Sequence, residues 1–427
     1  MPYEIIKLTL LLPNMKKEID IHNYEKKFIQ TIKNLEKSSI SKRNKEIILK
    51  FKDKCIINGL GKPRIIKYLW VLRIFAKYMN KDFDKTDKQD IEGLVSSIQQ
   101  QDLSVHTKHC YKVILKRFYK WLKGNDEDYP LEVKWIKCNV KRSECKLPSE
   151  GDLLSEEDVK KLIETCEHPR DKAFLSMLYE SGCRVGEIAS LQIGNVSFDE
   201  HGILIVVEGK TGSRKLRLIA STPYLSTWLQ SHPLKDNKEA PLWICFGSTN
   251  HNLAVRYSTI RGLLIRLMRK TGIKKRINPH SFRHARATYL ANHLTEFQMN
   301  QYFGWVQGSD MPSVYVHLSG RETDAAILEL NGIRAEKQHK ESELKPRKCP
   351  RCEALNPYNG KFCLKCAAVI DINTAIEIEE ERKQEIGIKQ IGDELLNALM
   401  QDKEIQKVMV KKILELGLKD KIMQIEN

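Results

Sequence analysis

The sequence predicts a mainly α protein: a helical bundle, a second α+β domain with a small β-sheet, a four-cysteine ribbon and a helical tail. Three observations carry this. Apolar residues recur at helical spacing through residues 24–123, with no alternating stretch. Residues 203–208 and 216–219 alternate as short strands about a Gly209-Lys210-Thr211-Gly212 turn, between helical segments. Two C-x-x-C pairs then stand in a polar stretch near the end of the chain.

Taken in order, residues 1–20 read as a leader. Their apolar run, residues 8–12, is too short for a signal-peptide core and is followed by Pro13 and two lysines. Residues 21–125 read as the bundle. Tyr24, Phe28, Ile32 and Leu35 share one helical face, and Ile47, Ile48, Phe51 and Cys55 a second. Pro63 opens a stripe through Ile65, Leu69, Leu72, Phe75 and Met79. Thr86 with Gln89 is expected to form a capping box, and Ser104 to open the last helix, with Tyr111, Ile114, Leu115 and Phe118 inward. Residues 126–152, polar and proline-bearing, read as a linker. Ser155-x-x-Asp158 caps the first helix of the second domain, residues 153–335, which continues as a helix pair about Gly182, the hairpin, and helices near 223–231 and 259–271. Residues 336–370 hold a second linker and the cysteines. Residues 371–427 carry amphipathic stripes, expected to dock or self-associate because such helices are marginal alone.

The charge narrows the partner. A net charge of +17 and a pI near 9.2 point to a polyanion, and double-stranded DNA is the first candidate. On the bundle, Lys42, Arg43, Lys62, Arg64, Lys67, Lys108 and Lys112 are candidate phosphate-backbone contacts, with helix starts at Lys62 and Ser104 nearby. With 41% hydrophobic residues the chain has ample core, and no stretch reaches the length of a membrane span. Seven scattered cysteines suit a reducing cytoplasm.

The chemistry-bearing residues cluster late. His280 and Arg283 form an H-x-x-R pair one helical turn apart, and Trp305 and Tyr315 follow. Arginine matches phosphate oxygens bidentately, imidazole and indole donate hydrogen bonds, and a phenol can be a covalent nucleophile. Upstream, Arg184 begins a helix after Gly182 with Glu187 a turn later, and Lys210 sits on the β-turn, where a lysine could protonate a leaving oxygen. The G-K-T-G run lacks the spacing of a P-loop.

The segments YESGCRVGEIASL, VEGKTGSRKLRL, HSFRHARATYL and YFGWVQGSDMPSVYVHLS, in this order, resemble the signature of the tyrosine recombinases, the phage-integrase and Xer-like DNA breaking–rejoining enzymes. The resemblance spans residues 20–335, with Trp305 where many Xer-like members have histidine. It implies a core-binding domain joined to a catalytic domain. Arg184, Arg283, His280 and Trp305 would grip the scissile phosphate, and Glu187 would support Arg184. Tyr315 would attack phosphorus to give a 3′-phosphotyrosine, and Lys210 would protonate the leaving 5′ oxygen. No cofactor is needed for that chemistry. Two protomers per site and four in the synapse are implied as well. Tyr289 and Tyr302 read as packing residues, and His284 and His317 as bystanders beside the motif.

Cys349, Cys352, Cys363 and Cys366 have the spacing of a closed tetrahedral Zn²⁺ site, structural in role, where a metal supplies the folding energy that a small segment lacks. This extension resembles that of archaeal members of the family. The alternative of another class is a non-catalytic, zinc-containing DNA-binding regulator on a recombinase scaffold. It would be free to lose any of the six chemical positions, and all six are filled.

Overall fold

The computed structural model describes residues 19–124, 127–140, 150–318, 330–331 and 342–416. It divides into two compact units, residues 1–218 with 227–338, and residues 219–226 with 339–427.

The first unit opens with helices α1 (Tyr24–Glu36), α2 (Lys42–Ile57), α3 (Lys62–Met79), α4 (Lys88–Gln100) and α5 (Val105–Leu122). Their inward stripes meet in one core of Leu35, Ile48, Phe51, Leu72, Phe75, Phe83, Leu94, Leu115 and Phe118. Phe118 packs edge-on against both Phe51 and Phe83. Ser104 caps α5 through Thr107 N–H. The cap of α4 departs from expectation: Asp87 and Asp90 form the capping box, one residue on. Thr86 is instead buried, donating to the Phe83 carbonyl and bonded to the Tyr119 hydroxyl. An aspartate accepts from the exposed N–H groups as well as threonine does, so the sequence pattern fitted both frames. The stretch expected as linker also differs. Its short helix α6 (Leu131–Lys134) places Val133, followed by Ile136, in the bundle core.

After α6 come α7 (Glu156–Thr165), α8 (Pro169–Ser181) and α9 (Val185–Ala189). Ser155 and Asp158 make the anticipated capping box on α7. Gly182 ends α8 at φ 54°, and a Cβ there would lie 2.5 Å from the Phe303 ring, so both backbone and space require glycine. A three-stranded antiparallel sheet follows: β1 (Val196–Asp199), β2 (Gly202–Gly209) and β3 (Gly212–Leu218), in that spatial order. Ile203, Ile205 and Val207 of β2 face inward opposite Leu218, Leu216 and Arg214 of β3. The strand β1 was not anticipated; its four residues are mostly exposed, which hides the alternation. Helices α10 (Thr222–Gln230), α11 (Tyr257–Thr271), α12 (Pro279–Ala291), α13 (Glu296–Phe303) and α14 (Met311–Leu318) complete the series.

In the second unit, β4 (Arg347–Lys348) pairs with β5 (Leu355–Asn356), and two helices follow, α15 (Ile372–Gln401) and α16 (Lys403–Glu415). Most of their apolar residues, among them Ile391, Leu395 and Val408, are exposed. The second linker, expected from residue 336, lies outside the described residues as far as residue 341. Among the described residues no helix is long and apolar enough to cross a membrane.

Candidate active site

Arg184 is the N-cap of α9. Its backbone N–H donates to Glu187 Oε2 at 3.0 Å and its Nη1 to Oε1 at 2.9 Å. The guanidinium is thereby aimed while its side chain stays 35% exposed. Glu187 is buried, and burial pushes its carboxyl up. The hydrogen bonds from Arg214 and Arg184 outweigh this and hold it below the ordinary carboxylate value.

Arg214 was missed from the sequence. Its Nη2 donates to Glu187 Oε2 at 2.7 Å and to Cys183 Sγ at 3.3 Å, and its Nε to the Tyr302 carbonyl at 2.9 Å. A signal was available: at period two, Arg214 shares the inward face of Leu216 and Leu218. Thr211 of the same turn donates to the Gly304 carbonyl at 3.0 Å. The hairpin is thus clasped to the α13–Trp305 turn on one side and to α9 on the other. Lys210, at its tip, is exposed and has no hydrogen bond or ion pair among the described residues.

Asn278 caps α12 through the N–H groups of His280 and Ser281, which places His280 in the first turn and Arg283 one turn deeper. Arg283 is buried; its Nη1 donates to the Gly182 carbonyl and its Nη2 to the Phe303 carbonyl, both at 2.9 Å. The guanidinium lies over the rings of Phe303 and Trp305, 5.1 and 5.3 Å from their centroids. Burial, then repulsion from Arg184, lower Arg283 to about 10, which leaves it charged at neutral pH. Burial and the charges of Arg283 and Arg184 also lower His280. Arg184 and Arg283 are thus close enough to act together on His280, a cationic group suited to an anion.

Tyr315 completes the group in a way the sequence did not suggest. By sequence, the Gly-Ser-Asp-Met-Pro run before it (residues 308–312) reads as a loop, where a mobile phenol is expected. Instead Tyr315 lies within α14, is 2% exposed and belongs to an apolar cluster with Ala287, Leu290, Met299 and Phe303. Phe303, Trp305 and Tyr315 stack in series, with Trp305 and Tyr315 nearly parallel at 5.4 Å. Burial raises the phenol, and Arg283 works against that. The Tyr315 hydroxyl is 2.7 Å from His284 Nδ1, so His284 contacts the candidate nucleophile directly and is no bystander. Its helical register with His280 was the available signal. Tyr302, by contrast, donates its hydroxyl to the Glu180 carbonyl, and Tyr289 packs against Arg286 and His293, as expected of packing residues. The side chain of His317 lies outside the described residues.

On the bundle, Lys42, Arg64 and Lys67 are exposed. Arg43 is paired with Asp84 at 2.7 Å, Lys62 with Glu25, and Lys108 donates to the Gln99 carbonyl. Lys112 is half-buried. The four sulfurs of Cys349, Cys352, Cys363 and Cys366 all lie within 4.8 Å of one another. Two pairs stand at 3.7 and 3.5 Å, close to the edge of about 3.8 Å that metal–sulfur bonds of about 2.3 Å give in a tetrahedron. Arg351 N–H and Lys365 N–H donate to the sulfurs of Cys349 and Cys363, as thiolate ligands require.

An arginine group beside a stacked tyrosine, with a lysine on the neighbouring hairpin, can hold a phosphate and offer it a phenol nucleophile. Residues 152–322 match the model of the phage integrase family. The tyrosine recombinase XerA of Pyrococcus furiosus is 24% identical over 288 residues, 67% of this chain and 94% of that protein. The tyrosine recombinase XerD of Oceanobacillus iheyensis is 28% identical over 287 residues, 62% of this chain and 90% of that protein. Among solved structures, the XerH site-specific recombinase in a post-cleavage complex with its palindromic difH substrate aligns with a TM-score of 0.54 at 19% identity, over 76% of this chain and 93% of that one. A lambda integrase dimer bound to a COC′ core site aligns with a TM-score of 0.50 at 11% identity, over 65% of this chain and 78% of that one.

Proposed function

We propose that this protein is a site-specific recombinase that cuts and rejoins duplex DNA through a 3′-phosphotyrosyl intermediate. Its task is integration and excision of a mobile element, or Xer-like resolution. The observation that carries this reading is the Arg283–Trp305–Tyr315 assembly, a buried guanidinium and a phenol both packed against one indole. Arg184 and Arg283, with His280 and the Trp305 N–H, bind the non-bridging oxygens of the scissile phosphate and stabilise the charge that builds in the transition state. Tyr315 attacks phosphorus, and Lys210, carried on its exposed hairpin, protonates the departing 5′ oxygen. Phosphodiester free energy is kept in the tyrosyl link, so rejoining needs no nucleotide.

The helical bundle of residues 21–125 is the core-binding domain in this reading, with Lys42, Arg64 and Lys67 free to meet phosphates. Bundle and catalytic domain (153–335) grip the duplex from two sides, as a dimer on each site and a tetramer in the synapse, in the cytoplasm, where the described cysteines outside the ribbon remain thiols. Cys349, Cys352, Cys363 and Cys366 hold a structural Zn²⁺. The archaeal affinity rests on the resemblance of that ribbon alone, since the relatives include both XerA and XerD proteins. The test is a nicked suicide substrate whose cleavage traps the enzyme on DNA. A covalent band that disappears with Tyr315→Phe is the expected result. Tight but purely reversible binding on every cleavable substrate would sink the reading.

A further inference from the structure

A phenol must lose its proton to attack phosphorus, and neither His280 nor Lys210 has a hydrogen bond to Tyr315 among the described residues. His284 does. Its Nδ1 is 2.7 Å from the Tyr315 oxygen, with the two rings tilted by 33°. We propose that His284 is the catalytic base that takes the proton of Tyr315. This rests on the reading of Tyr315 as the nucleophile.

Three features support the assignment. First, α12 carries Arg283 and His284 side by side, so one helix delivers both the phosphate ligand and the base. Second, the Trp305–Tyr315 stack keeps the phenol ring from turning away, and the hydroxyl is committed to the imidazole. Third, burial first, then the neighbouring His280 and Arg283, hold His284 below the ordinary histidine value, which favours the neutral ring, whose Nε2–H tautomer accepts at Nδ1. A bound phosphate would partly cancel the positive charge of Arg283. That raises the basicity of His284 when substrate is in place.

The step balances. The Tyr315 O–H bond breaks and its proton forms an N–H bond at His284 Nδ1, while the oxygen's electron pair forms the O–P bond. The P–O5′ bond breaks and its electron pair takes a proton from Lys210. On rejoining, the 5′-hydroxyl attacks phosphorus, Lys210 recovers its proton and His284 returns one to the phenolate.

The experiment uses the full chain and single-turnover cleavage of a suicide substrate. His284→Asn offers an amide oxygen as hydrogen-bond acceptor but no useful basicity, and His284→Ala offers neither. Both should bind DNA as the parent does and form adduct about 10²–10³-fold more slowly. In His284→Asn, replacing Tyr315 by 3,5-difluorotyrosine, whose phenol ionises more readily, should recover at least about tenfold of the rate. Cleavage by His284→Asn within about threefold of the parent would overturn the proposal. So would a slow rate indifferent to the more acidic phenol, which would mark His284 as a packing partner only. Should His284→Ala fail to melt cooperatively, the His284→Asn pair of rates decides. Adduct formation by Tyr315→Phe would instead remove the nucleophile itself, a failure recognisable apart from that of His284.

Discussion

Glu187 and Arg214 form a buried ion pair, with Arg214 Nη2 2.7 Å from Glu187 Oε2 and side chains 4% and 10% exposed. The pair joins two pieces of machinery that are far apart in sequence. Glu187 also holds Arg184, and Arg214 lies on the strand that follows Lys210. Arg214→Met should therefore cost about 3–5 kcal/mol of stability by leaving a buried carboxylate half-paired. Arg214→Lys should recover little, because one ammonium cannot serve Glu187 and the Tyr302 carbonyl together. Denaturant unfolding measures both, and a loss below about 1 kcal/mol would show the pair to be ornamental.

The same pair predicts a pH dependence. The folded carboxyl of Glu187 lies below its unfolded value of 4.5, so its contribution is fully present above pH 4.5. It is lost as pH falls below that value and through the lower folded one. Glu187→Gln should flatten the fall of stability in that acid window. An unchanged slope in melts taken from pH 5 downward would argue against it.

Tyr315→Phe keeps the Trp305 stack but strands His284 Nδ1 without its partner. We expect a stability loss of about 1–3 kcal/mol, unchanged DNA affinity and no covalent adduct. Thermal melts and gel shifts on one preparation check all three.

Lys210→Ala should slow cleavage of ordinary DNA by about 10²–10⁴-fold. A substrate with sulfur at the bridging 5′ position needs no proton to leave, and should be cut by the variant nearly as well as by the parent. A defect of equal size on both substrates would assign Lys210 a different role.

Removal of metal by a strong chelator should unfold residues 345–370 while simple strand cleavage persists, since the candidate catalytic groups all lie before residue 319. Metal analysis should return one zinc per chain, and complete loss of cleavage on chelation would refute that independence.

Much of this was legible in the sequence. The bundle helices, the hairpin and the H-x-x-R helix follow from apolar periods and caps, because each is a local pattern. The order of chemical residues gave Arg184, His280, Arg283, Trp305 and Tyr315 as candidates. What escaped depends on contacts between distant segments. Arg214 acts through a carboxylate 27 residues earlier and a carbonyl 88 residues later, and no local pattern records such partners. Val133 and Ile136 sit in a helix of four residues and the turn after it, too short to show a period. Tyr315 misled because a loop-forming run precedes it, whereas burial against Trp305 decides its state.

Gly209 and Gly304 bear on how this protein can vary. A Cβ at Gly209 would stand 2.4 Å from Glu187 Oε1, and one at Gly304, at φ 61°, would stand 2.8 Å from Arg214 Nη1. Two turns are thus kept bare by one guanidinium–carboxylate bridge. Among natural variants, side chains at 209 or 304 should occur only where residue 214 or 187 has changed as well. The four positions would then drift as a set, a correlated signature that can be sought across related sequences without any biochemical assay.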